Sequence, residues 1–523
     1  MRDNMISTAD PNGIFTFNSL SDYLTNRPFS LTIAIPGTTS PRDLRETLFA
    51  AYFQEDLRLR SNLTANIGLR YEMTTVPTET AGRLSASRSI ADQAPHLGDP
   101  YFANPTKTNF EPRLGVAWDS FSDGRLMVRS GFGIFDVLPL PYEFELLSMG
   151  VAPFFENATP NHLPPLSFPA GAVQLAQSPI TLRYAYIEPH AHRNYVAQWN
   201  FNLEMQPSKA SSLLLGYIGS RGIHQPFRAD DSNLVLPAKT SQGYAWPTPI
   251  GSGTKINPTA GRVDALLWRG DSYYSALQIQ GRAIVASSLN LQVSYTWGKS
   301  IDTGSATIAG DQFANSVSSL PWYDLRHNRG PSDFDIGQNV SFHFTYQFPS
   351  PRKDSHAWYL KDWRLIGTYQ ASAGSPFTPV IAGDPLGTRS SDPYDVPNRV
   401  ASQDCAHPVN AHQPLNYIKL SCFVFPNPVN ILGNVSRNSV IGPGLSTLDS
   451  SLFKESRVQR ISSAFIIQTR VEVFNILNHP NFAAPLDHRT VFDALGNPVN
   501  GAGQIDTTTT PSRQMQLGLK VIW

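Results

Sequence analysis

The sequence predicts an all-β fold, specifically an antiparallel up-and-down β-barrel that crosses a membrane with its strands. Three observations predict it. Polar and apolar side chains alternate along many segments of about ten residues. Short and long connections between these segments alternate strictly along the chain. Aromatic residues collect near both ends of the segments, as they do at membrane interfaces.

The last strand, within residues 511–523, shows the alternation most clearly. Its polar positions are Gln, Gly and Lys, and they fall on the opposite side from the apolar ones because successive side chains of a strand point to opposite faces. The chain ends on an aromatic residue, which suits a membrane interface. We therefore interpret this stretch as a barrel-closing strand whose apolar row is Met515, Leu517, Leu519, Val521 and Trp523.

Composition excludes several other classes of protein. The 523-residue chain carries 41 basic and 41 acidic residues, and a nucleic-acid partner would require a basic excess. Its 42 Pro and 36 Gly with only 7 Met favour many strands and long loops over a helical bundle. No apolar run reaches the roughly eighteen residues of a transmembrane helix.

Residues 1–10 also lack the apolar core of a signal peptide, so either the true N-terminus lies upstream or the chain is not exported.

The alternating segments follow one another in pairs from residue 48. We expect about thirteen strands, or fourteen if residues 14–17 end a further one. Residues 1–47 are then a partial strand and loop, and residues 48–523 are the barrel. Representative alternating segments are 63–71, 114–118, 199–205, 289–297, 340–348 and 465–473.

The lengths of the connections predict which side of the membrane each connection lies on. Short periplasmic turns and long external loops are typical of transmembrane barrels, and the long connection before the final strand agrees with this order. The short connections are predicted near 58–61, 119–124, 206–210, 285–288, 349–360 and 455–461. The long ones are predicted at 73–109, 137–193, 219–271, 299–336, 374–444 and 477–510.

The side chains predict two aromatic belts and a polar lumen. The external belt is Tyr71, Tyr217, Tyr295 and Trp297, and the periplasmic belt is Trp118, Phe348, Trp363 and Trp523. The polar wall of the lumen includes Arg70, Glu72, Gln292, Arg470 and Glu472. Its charged members either bind a substrate or form a cross-strand charge ladder, and we favour the ladder.

A secreted β-sandwich, propeller or lectin-like domain is the main alternative fold, since its strands also alternate. Strands in soluble domains average about five to six residues, which is shorter than the segments seen here. Loops as long as 374–444 are also uncommon inside a compact soluble domain. The membrane barrel is therefore the preferred interpretation.

Motifs for catalysis or metal binding are weak. The run Asp302-Thr-Gly-Ser305 resembles an aspartic-protease triplet but has no second copy to share the proton. Glu188, His190 and His192 are candidate metal ligands, although a solvated approach to the next strand explains them better. No phosphate loop, nucleophile elbow or hydride-cofactor fingerprint is present. We therefore expect no enzyme activity, no metal and no cofactor.

The two cysteines, Cys405 and Cys422, lie in one Pro- and Asn-rich stretch without further ligands at zinc spacing. Two interpretations stay open, a disulfide in an external loop and a pair of free thiols. If the loop faces the cell exterior, the oxidising environment favours the disulfide.

Seven motifs in order resemble the TonB-dependent transporter family, specifically its Oar-like barrel. They are LRETLFAAYFQED (44–56), NIGLRYE (66–72), EPRLGVAW (111–118), GYIGSRG (216–222), SYTWGKSID (294–302), RGPSDFD (329–335) and FNILNHPNF (474–482). The resemblance covers nearly all of the chain from about residue 13. It departs after Asp335, where the family tends to have an Arg-His pair and this chain has Ile336, Gly337 and Gln338.

The resemblance implies the outer membrane of a Gram-negative bacterium, a 22-stranded barrel in the whole protein, an N-terminal plug and a segment that binds the energy-transducing protein TonB. We expect the present chain to be the C-terminal part of such a barrel, without the plug, the TonB-binding segment or the signal peptide. Its expected partners are outer-membrane lipid and an unidentified extracellular ligand, with a TonB-type protein only if the plug and TonB-binding segments lie upstream.

Two functions remain open. In the first, the protein is a transporter or receptor whose long loops capture a ligand for energised uptake. In the second, it is a binding or adhesion protein that uses the same loops without transport.

Overall fold

Thirteen long strands form one antiparallel sheet, which is the main element of the protein. They belong to a 15-stranded sheet in which two short strands lie off the main path. In chain order the long strands are β1 (Leu48–Arg60), β2 (Leu63–Thr74), β3 (Phe110–Asp119), β4 (Leu126–Asp136), β5 (Tyr195–Ser208), β6 (Ser211–Ala229), β7 (Val263–Val285), β8 (Leu289–Asp302), β9 (Gln338–Gln347), β10 (Trp363–Ser372), β11 (Leu445–Arg457), β12 (Ile466–Phe474) and β13 (Gln514–Ile522). Each strand pairs with its neighbours in sequence, which confirms the up-and-down topology.

The computed structural model describes most of the chain. The described residues are 2–5, 13–39, 41–98, 100–141, 143, 147–175, 181–286, 288–305, 313–317, 321–349, 361–390, 395–458, 460, 462 and 464–523.

Short elements occupy the connections. The helices are Leu20–Leu24 and Ala172–Leu175, with single 3₁₀ turns at Pro105–Thr108, Gln403–Cys405, Pro414–Asn416 and Leu420–Cys422. The short strands are Arg2–Met5, Ile14–Thr16, Ser30–Ala34, Arg42–Arg45, Thr78–Glu79, Ser85–Ala86, His96–Leu97, Asn157–Ala158, Tyr184–Ile187, Ala238–Thr240, Gly243–Ala245, Gly330–Pro331, Pro376–Phe377, Val380–Ile381, Asn398–Arg399, Phe423–Val424, Val440–Ile441 and Thr490–Phe492. Among the described helices, none has the length and apolar character needed to cross a membrane.

The structure gives the first of the two expected strand counts, thirteen, because Ile14–Thr16 does not join the long sheet. Ile14–Thr16 pairs with Ser30–Ala34, which in turn pairs with Asn157–Ala158 in a separate three-stranded sheet. Its short apolar row packs against loop residues and not against another barrel strand. The long sheet therefore ends at β1 on one edge and at β13 on the other, and within the described residues neither edge strand has a second partner.

Short and long connections alternate as predicted. The short ones are 61–62, 120–125, 209–210, 286–288, 348–362 and 458–465, and the long ones are 75–109, 137–194, 230–262, 303–337, 373–444 and 475–513. We call the end of the sheet with the long connections the external end.

The predicted loop 219–271 is much too long, because β6 and β7 extend well beyond the other strands. β7 has 23 residues and starts at Val263. There it also pairs in parallel with Tyr184–Ile187, and Ala265, Leu266 and Leu267 are fully buried. A strand buried on both faces loses the polar and apolar alternation on which the sequence prediction depended.

Apolar burial is concentrated in the external connections and in the external ends of β6 and β7. The described parts of 230–262, 373–444 and 475–513 pack together around a shared hydrophobic core, and we call this unit the external cap. Its core includes Trp246, Phe377, Ile418, Phe423 and Val491. The external cap is thus a folded unit with an interior of its own.

The apolar face of the long sheet is exposed along its length. Leu517 on β13 is 79% exposed, Phe53 on β1 is 66% exposed and Leu114 on β3 is 52% exposed. A soluble monomer rarely leaves so many large apolar side chains in one continuous surface. This face therefore matches the hydrocarbon of a bilayer, as the alternation predicted.

A disulfide joins Cys405 and Cys422 in the core of the external cap, with an Sγ–Sγ distance of 1.98 Å. The structure thus selects the first of the two interpretations that the sequence left open. The bridge spans 17 residues, and closing a loop of about this length stabilises a fold by about 3 kcal/mol.

Replacing both cysteines by alanine should therefore loosen the external cap while leaving the long sheet intact. We expect faster proteolysis within 395–444 and an unchanged heat-modifiable mobility of the barrel. Alkylation of protein taken from outer membranes, with and without reductant, tests the bridge directly. Two thiols that label freely without reductant would contradict it.

Candidate functional site

One face of the long sheet is polar across all thirteen strands. Antiparallel register carries this face from strand to strand, because residues that sit opposite each other point to the same side. The predicted wall residues all lie on it: Arg70 is opposite Glu111, Gln292 is opposite Arg282 and His343, Arg470 is opposite Phe453, and Glu472 is opposite Ser451. They sit on β2, β8 and β12, however, so the structure spreads them over the wall and does not bring them into one cluster.

The predicted aromatic residues lie on the opposite, apolar face. Tyr71 pairs with Phe110 at the external end of β3, and Trp118 pairs with Leu63 at the other end. Tyr217, Tyr295, Trp297 and Trp363 occupy apolar rows of β6, β8 and β10, and Phe348 follows β9 directly. On β13, Met515, Leu517, Leu519 and Val521 pair with β12, and Trp523 follows the strand. These positions fit two belts around the sheet.

Charged groups on the polar face of β2 to β5 form pairs along single strands more than across them. Arg70 Nε donates to Glu72 Oε1 at 2.7 Å, and Arg113 Nη2 donates to Glu111 Oε2 at 2.7 Å. Residues two apart on a strand share a face, so this geometry follows directly from the pleat. Arg70 and Glu72 therefore pair along β2, and Arg70 also lies opposite Glu111 on β3, so the cross-strand ladder stays a prediction here.

Arg470 and Glu472 show no such pair within the described residues. The Arg470 guanidinium lies 5.0 Å from the centre of the Phe453 ring, on the neighbouring strand. A cation over an aromatic face is attracted by the ring quadrupole. The predicted charge ladder does not form here, because neither residue lies opposite a charged side chain.

Two hollows lie on the polar face, and the sequence analysis identified only Gln292 from either. The lower hollow has a volume of about 660 Å³ and is lined in part by Glu204, Arg282, Gln292 and His343. Glu204 is paired with Arg129 at 3.0 Å, whereas Arg282 has no ion pair within the described part of the chain. The lower hollow is therefore a charged environment.

The upper hollow lies nearer the external end and has a volume of about 720 Å³. Its floor consists of two rows of residues that lie opposite one another on neighbouring strands. One row is Gln278, Thr296, Asn339 and Ser372, and the other is Ser220, Tyr274 and Ser300. Polar residues at alternate positions of the predicted strands signalled the face, but only the register between strands shows which of them are neighbours.

The motif at Asp302 is structural. Arg437 lies between Asp302 and Asp333, with its Nη1 2.9 Å from Asp333 Oδ1 and its Nη2 donating to the Asp302 carboxylate. All three are almost completely buried, with exposed fractions of 4%, 4% and 5% for Arg437, Asp302 and Asp333. Arg437 Nε also donates to the Asn328 carbonyl at 3.0 Å. We call this group the Arg437 cluster, and it joins the external cap to the end of β8.

The candidate metal ligands do not form a metal site, because they contact other residues. Glu188 is buried and accepts hydrogen bonds from Arg269 Nε at 2.6 Å and from the Trp268 backbone at 2.8 Å. The His192 ring stacks near the His224 ring at 4.8 Å. No group of three metal-ligating side chains occurs in the described part of the chain.

A buried carboxyl group in the external cap makes its stability depend on pH. Asp395 is 2% exposed, and neither of its oxygens has a hydrogen bond of normal geometry among the described residues, although the Leu386 N–H lies nearby. Burial, with a smaller contribution from the Asp384 carboxylate, raises the pKa of Asp395 from 3.8 to about 8. The folded cap therefore holds a proton that the unfolded chain releases.

The sign of the effect follows from this raised pKa. The stability that the proton contributes is fully present below about pH 4 and is lost as the pH rises towards 8. Asp395→Asn should remove this dependence and stabilise the external cap above pH 8 by about 2 kcal/mol, less than the full shift because local relaxation solvates an ionised carboxylate. Amide hydrogen exchange of 395–444 at pH 6 and pH 9 measures it, with exposed Asp404→Asn as the control. Equal responses of the parent and Asp395→Asn would contradict the assignment.

Comparison with known proteins gives one family match. A family model described as an outer membrane beta barrel domain matches residues 1–516. A search of curated proteins finds no match.

Several solved structures are similar at low sequence identity. The outer membrane transporter YddB from Escherichia coli has a TM-score of 0.47 and 10% identity, over 95% of this chain and 46% of that one. The siderophore receptor PirA from Acinetobacter baumannii has a TM-score of 0.43 and 8% identity, over 98% and 53%. A variant of the ferric enterobactin receptor PfeA from Pseudomonas aeruginosa has a TM-score of 0.43 and 9% identity, over 94% and 50%. The chain spans about half the length of these proteins.

Proposed function

The chain belongs to the outer membrane beta barrel family, and from this premise we propose that it forms part of the barrel of a TonB-dependent transporter or receptor. It lies in the outer membrane of a Gram-negative bacterium. Its ligand arrives from outside the cell, meets the external cap and passes along the polar face of the sheet.

The continuous polar face carries this proposal. A barrel that only anchors a protein needs an apolar outside, whereas one that passes a solute also needs a wall that stays hydrated. Here the wall has polar rows on every long strand and two hollows of about 660 and 720 Å³. The motif resemblance from residue 44 to residue 482 supports a TonB-type partner if plug and TonB-binding segments lie upstream.

A second candidate is a binding or adhesion protein. The external cap favours it, because the cap has its own hydrophobic core and a buried disulfide. Such a rigid surface could hold another cell or a polymer without any transport.

Solute depletion distinguishes the two functions. Cells of the parent strain, a strain lacking this gene and a strain lacking the TonB-type partner are grown in one complex medium, and mass spectrometry follows the solutes that disappear. Transport predicts at least one solute that the parent depletes and both deletion strains leave. If the gene deletion abolishes attachment to surfaces while depletion is unchanged, the adhesion function is correct and transport is not.

A further inference from the structure

The upper hollow differs in chemistry from the rest of the polar face. The side chains on its floor are amides and hydroxyls that come from β6 to β10. In the main row, Gln278 is opposite Thr296, which is opposite Asn339. Amides and hydroxyls both donate and accept hydrogen bonds, so a row of them can bind a partner that does the same.

Most of these groups have no hydrogen-bond partner in the described part of the protein; Ser300 is the exception, since its hydroxyl lies 2.8 Å from that of Ser332. Within the described residues, the side chains of Gln278, Thr296 and Asn339 make no hydrogen bond to another residue, and the same is true of Ser220 and Tyr274. Polar groups in a recess cost free energy if a ligand covers them without satisfying them. An apolar ligand would therefore be excluded in favour of water.

Charge excludes a second class of ligand. The only ionised side chain that lines the described upper hollow is Asp335, which is held by Lys299 Nζ at 2.6 Å and by the Ser300 backbone N–H at 2.7 Å. A charged ligand would lose its hydration there without finding an opposite charge. The lower hollow is different, because it is lined by Glu204 and by Arg282, which has no ion pair among the described residues.

Space and aromatic surface complete the site. On β7 and β8 the positions between the two polar rows are Ala276 and Gly298, and a Cβ added to Gly298 would come within 2.9 Å of Ala276 Cβ and 3.3 Å of Tyr274 Oη. Phe334 at the rim is 50% exposed and lies 5.3 Å from the ring of Phe313. Small residues thus keep the recess open, and an exposed ring offers a flat apolar surface beside it.

We propose that the upper hollow binds a neutral molecule rich in hydroxyl groups, of the chemical class of oligosaccharides. The hydroxyls satisfy the amide and hydroxyl side chains, the absence of charge matches the neutral lining, and the C–H faces of the sugar rings lie against Phe334. This inference rests on the proposed function and names the class of its ligand.

Calorimetry on full-length protein purified from outer membranes tests the proposal. The probes are maltohexaose, cellohexaose and xylohexaose as neutral ligands and an oligogalacturonate as an acidic one. At least one neutral probe should bind, and the acidic probe should not. The double variant Gln278→Ala with Thr296→Ala should weaken binding about fivefold or more, because each substitution removes a hydrogen bond to the probe.

A matched control lies one register step away. Gln280 and Ser294 are opposite each other on the same two strands and line the lower hollow, which the proposal leaves outside the site. Gln280→Ala with Ser294→Ala should bind the neutral probe as the parent does. Heat-modifiable mobility shows that both variants retain the barrel.

Three results would overturn the proposal: tighter binding of the acidic probe, equal weakening in the control variant, or no binding of any neutral probe by a barrel that is folded. Saccharide binding without energised uptake would remove the transport function and leave this inference standing. Energised uptake of a charged or apolar solute without saccharide binding would support the transport function and overturn this inference.

Discussion

Replacing Arg437 with methionine should release the external cap from the end of β8 and destabilise it by about 3–5 kcal/mol. The substitution leaves the carboxylates of Asp302 and Asp333 buried, close together and without their cation. Two buried carboxylates without a counter-charge are strongly unfavourable, even though Ser305 still donates to Asp302 and Asn438 still donates to Asp333. The long sheet does not depend on this cluster, because its own ladder of hydrogen bonds and the surrounding lipid stabilise it. The loss should therefore be confined to the cap and to connection 303–337.

Hydrogen exchange of 395–444 and 321–337 measures this loss, with exposed Arg389→Met on the same connection as the control. Adding Asp302→Asn and Asp333→Asn to Arg437→Met should recover most of the protection, because no buried charge then remains. If Arg437→Met alone keeps the protection of the parent, the cluster does not hold the cap.

Arginine at position 293 should disrupt folding into a bilayer far more than arginine at position 292. Val293 lies in the apolar row of β8, opposite Phe342 and Gly281, and is 38% exposed on that face. A charge there enters the hydrocarbon and should cost about 2–4 kcal/mol. Gln292 faces the lower hollow, where an added guanidinium remains hydrated.

Folding of both variants into lipid vesicles, followed by heat-modifiable mobility, compares the two costs. The neighbouring positions share the strand and the depth, so each serves as the control for the other. A greater loss for Gln292→Arg would mean that the polar face meets lipid and that the assignment of the two faces must be exchanged.

The sequence predicted what depends on local alternation. The thirteen strands, the order of short and long connections and the polar face all follow from a period of two that each strand carries in itself. Residues 14–17 show the limit of this signal, because a short alternating segment does not reveal whether its partner is a barrel strand or a loop. The start of β7 shows another, since residues buried on both faces cease to alternate.

Contacts between distant parts of the chain could not be predicted from the sequence. Arg437 is separated from Asp333 by 104 residues and from Asp302 by 135. Nothing near Arg437 in the sequence distinguishes it from a surface arginine, and its role depends on how two connections fold against the end of β8. The upper hollow was missed for a related reason. The alternation identified Thr296 as polar, but the neighbour opposite it is set by the turn at 286–288 and by the register of the whole hairpin.

The odd number of long strands restricts what can close the barrel. With thirteen strands in antiparallel order, β1 and β13 run in the same direction, so joining their edges directly would create a parallel seam. A second copy inserted with the same orientation would create two such seams. An even number of added strands leaves one parallel seam, so only an odd number can give antiparallel pairing at both edges. In lipid each unpaired backbone group costs several kcal/mol. If additional strands close the barrel with antiparallel pairing throughout, the first and the last of them must therefore run opposite to β1 and β13.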